Sequence, residues 1–314
     1  MSHVIFRRGR DLVITLLLVG TLMFFVVHLL PGNPAIAMLG SYATEDQVRQ
    51  LTHALGLDRP LLSQYGLWLG HVVQGNLGDS IGFQQPVTTV LAEHLGPTAL
   101  LAVASTVISL VVSVPLAAYT AARPGSWWTR VLTPLSVFGI AVPNFWLALV
   151  LIIVFGVALR VLPIAGYVSP LTDLPSAVSH LILPVVVLVA GQAALFVRTL
   201  RESMLGELLA LYPRTARAKG ASERVVILGQ LLPNALIPLL TVVGTSLGTL
   251  LGGIVIVENV FVIPGFGALL FQAINSRDYP LVEGITLAIA LGYVLINLVV
   301  DLLYTAIDPR VRIR

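Results

Sequence analysis

Residues 234–257 read NALIPLLTVVGTSLGTLLGGIVIV. No Asp, Glu, Lys or Arg interrupts them. At about 1.5 Å of rise per residue, a helix of this length crosses the roughly 30 Å hydrocarbon of a bilayer. Four other stretches are as free of charge, Leu12–Leu30, Pro97–Ala122, Leu132–Leu159 and Val178–Val197, and a fifth, Ile285–Tyr304, has Asp301 near its end. In lipid every backbone N–H and C=O must be satisfied internally, which leaves helices or closed barrels. These runs lack the period-two alternation of barrel strands. The expectation is an all-α integral membrane protein with six transmembrane helices.

Composition supports this. Of 314 residues, 57% are hydrophobic and 11% charged, and a soluble domain carries about twice that charge. The mean hydropathy is +0.94. Cysteine is absent, which removes disulfides and thiolate metal ligands. The sequence pI is about 9.4, but the net charge is only +3 and the basic residues sit between apolar runs. They read as topology signals rather than a nucleic-acid footprint. Arg7, Arg8 and Arg10 precede the first run, which ends at Pro31-Gly32-Asn33-Pro34 without a small-residue cleavage site. A retained helix is expected rather than a leader peptide. With the N-terminus inside, only Arg49, Arg59, Arg160 and Arg277 of the 18 Lys/Arg fall outside. The positive-inside rule then puts both termini in the cytoplasm.

Between the first two runs, Thr44-Glu45-Asp46-Gln47 has capping-box spacing and predicts a short helix to about Leu55. Pro60 opens a second, in which Leu61, Tyr65, Trp68, Leu69 and Val72 recur near helical spacing. That helix either lies on the membrane surface with its aromatics at the headgroups or packs as part of an extracytoplasmic cap. Gly75-Asn76-Leu77-Gly78-Asp79 reads as a turn. Farther on, Ile263-Pro264-Gly265-Phe266-Gly267 breaks a helix, and Ala268–Asn275 predicts a short re-entrant or surface one.

The longest segment on the basic side, Arg198–Pro233, contains Arg214, Thr215, Ala216, Arg217, Ala218, Lys219, Gly220 and Ala221. Its local character is helix, glycine break, helix. Small residues there let another protein approach the backbone, while a basic strip beside a membrane also suits anionic lipid. This segment resembles the coupling loop of binding-protein-dependent ABC importer permeases. Gly220, with Leu232-Pro233 at the family's distance and Ala216 at the family's final Ala, carries the likeness; Arg214, Thr215 and Gln230 depart from the general pattern. Arg-Thr-Ala-Arg-Ala-Lys-Gly is the form common in the dipeptide, oligopeptide and nickel branch. Leu30–Pro34, Leu55–Pro60, Gly75–Ser80, Pro143–Leu147, Arg277–Pro280 and the Asp301–Tyr304 to Asp308–Arg310 tail look like that branch's other motifs, in order. The chain most resembles the first permease subunit of such systems.

The resemblance implies a type I importer permease fold. Residues 1–30 would hold the cytoplasmic N-terminus and first helix, 31–96 an extracytoplasmic segment, 97–306 a five-helix core with the coupling loop at 203–233, and 307–314 a cytoplasmic tail. It also implies a second homologous permease, two ATPase subunits holding ATP and Mg, and an extracytoplasmic solute-binding protein that delivers di- or oligopeptides. Nickel or a metallophore is the alternative cargo, cued by Pro143–Ala148, Leu162-Pro163 and Gly166-Tyr167. An ion-coupled secondary carrier is the alternative of another class, and would place polar clusters in broken mid-membrane helices.

No catalytic set is assigned. The chain has no Gly-x-x-x-x-Gly-Lys-Ser/Thr loop, so hydrolysis is expected in a partner. Gly252-Gly253 predicts close helix packing. Its six His show no metal-ligand spacing on one helix. Asn144 and Gln192 are polar groups within spans, predicted either to line the pore or to bond between helices. Glu258 and Asn259, at one end of the 234–257 run, either meet a substrate ammonium, cap a helix or face the partner permease. Asp301 is an intramembrane carboxylate, structural or coupling.

Overall fold

The computed structural model describes residues 2–29, 36, 39, 43–54 and 56–307. The motifs at Leu30–Pro34 and Asp308–Arg310 lie outside them, and Asp301 lies outside the residues whose side chains are described. Among the described residues the chain is helical, with one isolated bridge, Asp79 to Pro86. Cα packing divides it into two compact units, one of 1–96 and 264–294, the other of 97–263 and 295–314.

In the first unit, α1 (Ser2–Leu29) is the first apolar span. The predicted capping box starts α2 (Glu45–Ala54): Thr44 N–H donates to Gln47 Oε1 at 2.9 Å, and Gln47 N–H donates to Thr44 Oγ1 at 3.4 Å. Pro60 stands at the N-cap of α3 (Leu61–Val73). The aromatic face of α3 packs on α1, which favours the cap reading for that face. Thr21 and Tyr65 hydroxyls lie 2.7 Å apart, and Trp68 closes on Gly20, where an added Cβ would sit 3.0 Å from the ring. Leu62 and Val73 on the rest of α3 are exposed. Two short elements complete the unit: α11 (Phe266–Ser276), beginning two residues before the predicted Ala268, and the first turns of α12 (Tyr279–Ile307). Their core joins Val87, Val90 and Leu91 to Phe266, Leu269, Leu281 and Ile285.

Asp278 holds the pieces of this unit together. It is 1% exposed. Its Oδ2 accepts from Ser80 Oγ at 2.5 Å and from Gly82 N–H at 2.9 Å, while Oδ1 accepts from Leu281 N–H at 3.2 Å in the first turn of α12. One carboxylate thus caps a helix and fastens the 80–83 turn.

The second unit takes most of α4 (Val87–Ala122), then α5 (Trp127–Ala141), α6 (Asn144–Leu151) with a π-helical extension Ile152–Ala158, and α7 (Leu174–Leu208). After these come α8 (Leu211–Ala218), α9 (Glu223–Val226) with its π turn Ile227–Leu231, and α10 (Leu232–Phe261). Helix ends are capped by side chains where loops meet them: Ser126 accepts from Thr129 N–H, and Asp173 from Ser176 N–H. One core joins Leu183, Leu188, Leu250, Ile254 and Phe261; another joins Phe196, Leu200, Met204, Leu231 and Leu239.

The faces of α4 are inverted relative to a soluble helix. Ser105, Ser109 and Ser113 recur every four residues and are fully buried, whereas Val103, Val107 and Val111 are 62%, 51% and 67% exposed. Water would not leave valines outside and serines inside, so the surroundings of this helix are lipid or other apolar protein.

Among the described residues five helices are long and apolar enough to cross a membrane, and a bent pair makes the sixth candidate. The Leu132–Leu159 run, expected as one apolar span, is not one continuous helix: α5 and α6 meet at 107°. Pro143 has no N–H to give and drives Val142 out of the helical region, to φ −74°, ψ 123°.

Candidate functional site

The Arg198–Pro233 segment forms the predicted helix, glycine break and helix. Lys219 N–H donates to Thr215 C=O at 3.1 Å and closes α8; Gly220 then turns the chain with φ +85°. Ala221 N–H returns to Ala216 C=O at 3.0 Å, and Ser222 leads into α9. A positive φ of this size favours a residue without Cβ. An added Cβ at Gly220 meets nothing within 4 Å, so backbone conformation rather than crowding selects glycine.

One side of α8 is anchored. Pro213 is buried, and Tyr212, Ala216 and Ala221 pack against the Phe196–Leu239 core. Tyr212 donates to Glu207 Oε2 at 2.5 Å and accepts from Asn234 Nδ2 at 3.2 Å, tying α8 to both flanking spans. Burial pushes the Tyr212 phenol above its ordinary value, and the Glu207 bond adds to that, so the proton stays on the donor. The other side is open. Arg214, Thr215, Arg217, Ala218, Lys219 and Gly220 are exposed. Arg217 Nε and Nη2 donate to the two oxygens of Glu223 at 2.6 and 3.1 Å, a two-pronged clasp across the glycine turn. The result is a braced, low-profile basic knob.

Gln192, Glu258 and Asn259, three of the polar groups expected within or at the end of the spans, each have a hydrogen-bond partner. Gln192 is 7% exposed; its Oε1 accepts from Ser109 Oγ at 3.1 Å, and its Nε2 reaches Thr106 Oγ1 at 3.4 Å. Glu258 is fully buried and accepts from Thr98 Oγ1 at 2.6 Å. Next to it, Asn259 is exposed and donates to Val255 C=O at 2.8 Å. Asn144, half-buried at the start of α6, sits against α10: a Cβ on Gly253 would fall 2.6 Å from its Nδ2. Sequence reasoning had not singled out Thr98 or the Ser105/Ser109/Ser113 stripe. The signal was there, as hydroxyls at four-residue spacing in an apolar run.

The paired glycines divide. A Cβ at Gly252 meets nothing within 4 Å, whereas Gly253 is the site of close approach to Asn144 and Leu188. Gly253→Val is therefore expected to lower stability by about 1–3 kcal/mol through overpacking. Gly252→Val should be close to neutral or gain a few tenths of a kcal/mol, roughly the amount by which Val is the better helix former. Thermal melts of the two variants side by side check this, and equal melting temperatures would refute it. Among the described residues, no three His, Asp or Glu side chains gather to hold a metal.

Five or six apolar spans among the described residues, an inverted helix surface and a braced basic knob between two of the spans define a multi-pass membrane protein. The chain belongs to the family described as binding-protein-dependent transport system inner membrane component, whose model matches residues 113–313; the N-terminal model of these transport membrane components matches residues 1–97. It is 40% identical over 303 residues to a putative peptide permease protein of Brucella suis, covering 95% of each chain. It is 40% identical over 312 residues to a probable peptide ABC transporter permease protein of Sinorhizobium fredii, covering 99% of this chain and 100% of that one. With a glutathione transport system permease protein of Salmonella choleraesuis it shares 38% identity over 312 residues, 99% of each.

Proposed function

We propose that this chain forms half of the translocation pore of an ATP-driven importer for di- and oligopeptides. A second homologous permease supplies the other half, a solute-binding protein delivers the cargo, and two ATPase subunits holding ATP and Mg do the hydrolysis. Both termini and the Arg198–Pro233 segment face the cytoplasm, as the charge distribution argues. The observation that carries the reading is the Gly220 knob. Its inner side is locked to the spans by Pro213, Tyr212 and Ala216, and its outer side is open and basic. A partner that moves it moves α7 and α10 with it. Peptide cargo is supported by the names of the full-length relatives.

In this reading Arg214–Ala221 seats in a groove of one ATPase, and closure of the ATPases turns the pore from inward- to outward-facing. Asn144, Gln192, Glu258 and Asn259 are the polar groups nearest cargo passage, and Gln192 and Glu258 trade their present interhelical partners as the spans shift. The test is uptake by membrane vesicles carrying this chain together with a homologous permease, two ATPase subunits and a solute-binding protein. Labelled di- and tripeptides should accumulate only with ATP and the binding protein. Accumulation independent of ATP, or failure to co-purify with any ATPase, would overturn the proposal.

A further inference from the structure

A cavity of about 510 Å³ lies within the first unit, walled by the end of α1, the aromatic face of α3, the turn at 76–81 and the first turns of α12. Two of its wall residues carry buried polar atoms without a partner, Tyr279 Oη and Glu283 Oε1. They are 8% and 6% exposed and stand four residues apart on α12, on one face. Glu283 takes a hydrogen bond from the Trp68 side chain, which leaves its Oε1 with none. A buried carboxylate oxygen without a donor marks a place where a donor belongs. Aromatic faces surround it. Phe24 stacks on His28 with ring centres 4.0 Å apart, and Phe24 and Trp68 centres are 5.4 Å apart. Arg59, itself exposed, also lines the cavity.

We propose that this cavity binds the primary ammonium group of a small zwitterion, whose anionic group meets Arg59. An ammonium offers three N–H donors, enough for both Glu283 Oε1 and Tyr279 Oη, and its charge suits the aromatic faces. A quaternary ammonium would satisfy the rings and leave both oxygens unpaired. A metal ion is disfavoured because no three ligating side chains converge among the described residues. Two sources offer this chemistry. One is the phosphatidylethanolamine headgroup, since Phe24, His28, Tyr279 and Glu283 stand at the ends of two apolar spans, where headgroups lie. The other is the α-ammonium and carboxylate of a free short peptide. None of the wall residues belongs to the groups named above for cargo passage, so this site stands or falls apart from the transport reading.

The experiment uses the full chain in nanodiscs, as wild type, Glu283→Gln and Tyr279→Phe. In the lipid arm, native mass spectrometry compares retention of phosphatidylethanolamine and phosphatidylcholine, which differ in ammonium methylation. In the soluble arm, calorimetry compares alanyl-alanine with N-acetyl-alanyl-alanine, which lacks the ammonium. The wild type should prefer the free ammonium in one arm, and that arm names the source. Glu283→Gln should weaken that binding about tenfold, equal to about 1.4 kcal/mol, and Tyr279→Phe less. No preference for the primary ammonium in either arm overturns the proposal. So does Glu283→Gln binding like wild type. If Glu283→Gln does not fold, Tyr279→Phe decides by the same comparison.

Discussion

Gly220→Trp is expected to abolish ATP-driven uptake while the permease still folds and inserts. Two physical facts separate these outcomes. The backbone at 220 has φ +85°, and an L-residue held there costs about 1–2 kcal/mol, too little to unfold a bundle with two buried cores. Nothing lies within 4 Å of the Cβ position, so the indole has room beside the chain's own packing and fills the space that the proposed function assigns to an ATPase. Gly220→Ala is the control, because it carries the same backbone strain with almost no bulk. The expected order is near-normal uptake for Ala, none for Trp, and ATPase co-purification lost only with Trp. If both fail alike, the turn geometry rather than docking is at fault. Full uptake by Gly220→Trp would end the coupling assignment.

Asp278→Ala should give the largest loss of stability. The substitution leaves three donors facing a void: the hydroxyl of Ser80, the N–H of Gly82, and the N–H of Leu281 that Asp278 caps. Breaking a buried charge-assisted network of this kind costs about 3–5 kcal/mol. At about 2–4 °C per kcal/mol, the melting temperature falls by roughly 10 °C. Ser80→Ala removes one donor and leaves the carboxylate two others, so it should cost only about 1 kcal/mol. Adding Ser80→Ala to Asp278→Ala should cost almost nothing more, since the two share one interaction. Additive losses in that cycle, or an Asp278→Ala protein that melts with the wild type, would remove Asp278 from this role.

Some of these features are legible one residue at a time. The capping box at Thr44 and Gln47 and the helix start at Pro60 depend on neighbours within one turn, and local rules found both. The glycine break at 220 is likewise a backbone matter. Proline shows where local reading ends. Pro97, Pro115, Pro134, Pro184 and Pro238 all sit inside helices, whereas Pro143 divides two helices by 107°. The residue type is the same in each case. What differs at Pro143 is that the chain beyond it gains a seat, with Asn144 against Gly253 and Ala148 in the Leu188–Ile254 core.

The amino-acid sequence by itself determined that this protein lives in a bilayer, how many apolar stretches it has, and where its basic knob turns. Those properties come from transfer free energy and backbone sterics, which act on each stretch separately. Only the tertiary structure decided that Asp278 closes on Ser80, 198 positions earlier. Only it decided that Gln192 spends its amide on Ser109 and Thr106, and that Glu258 turns inward to Thr98. A buried polar group takes whichever donor the packing brings within 3 Å or so. Which donor that is depends on how whole helices cross, and no residue announces it.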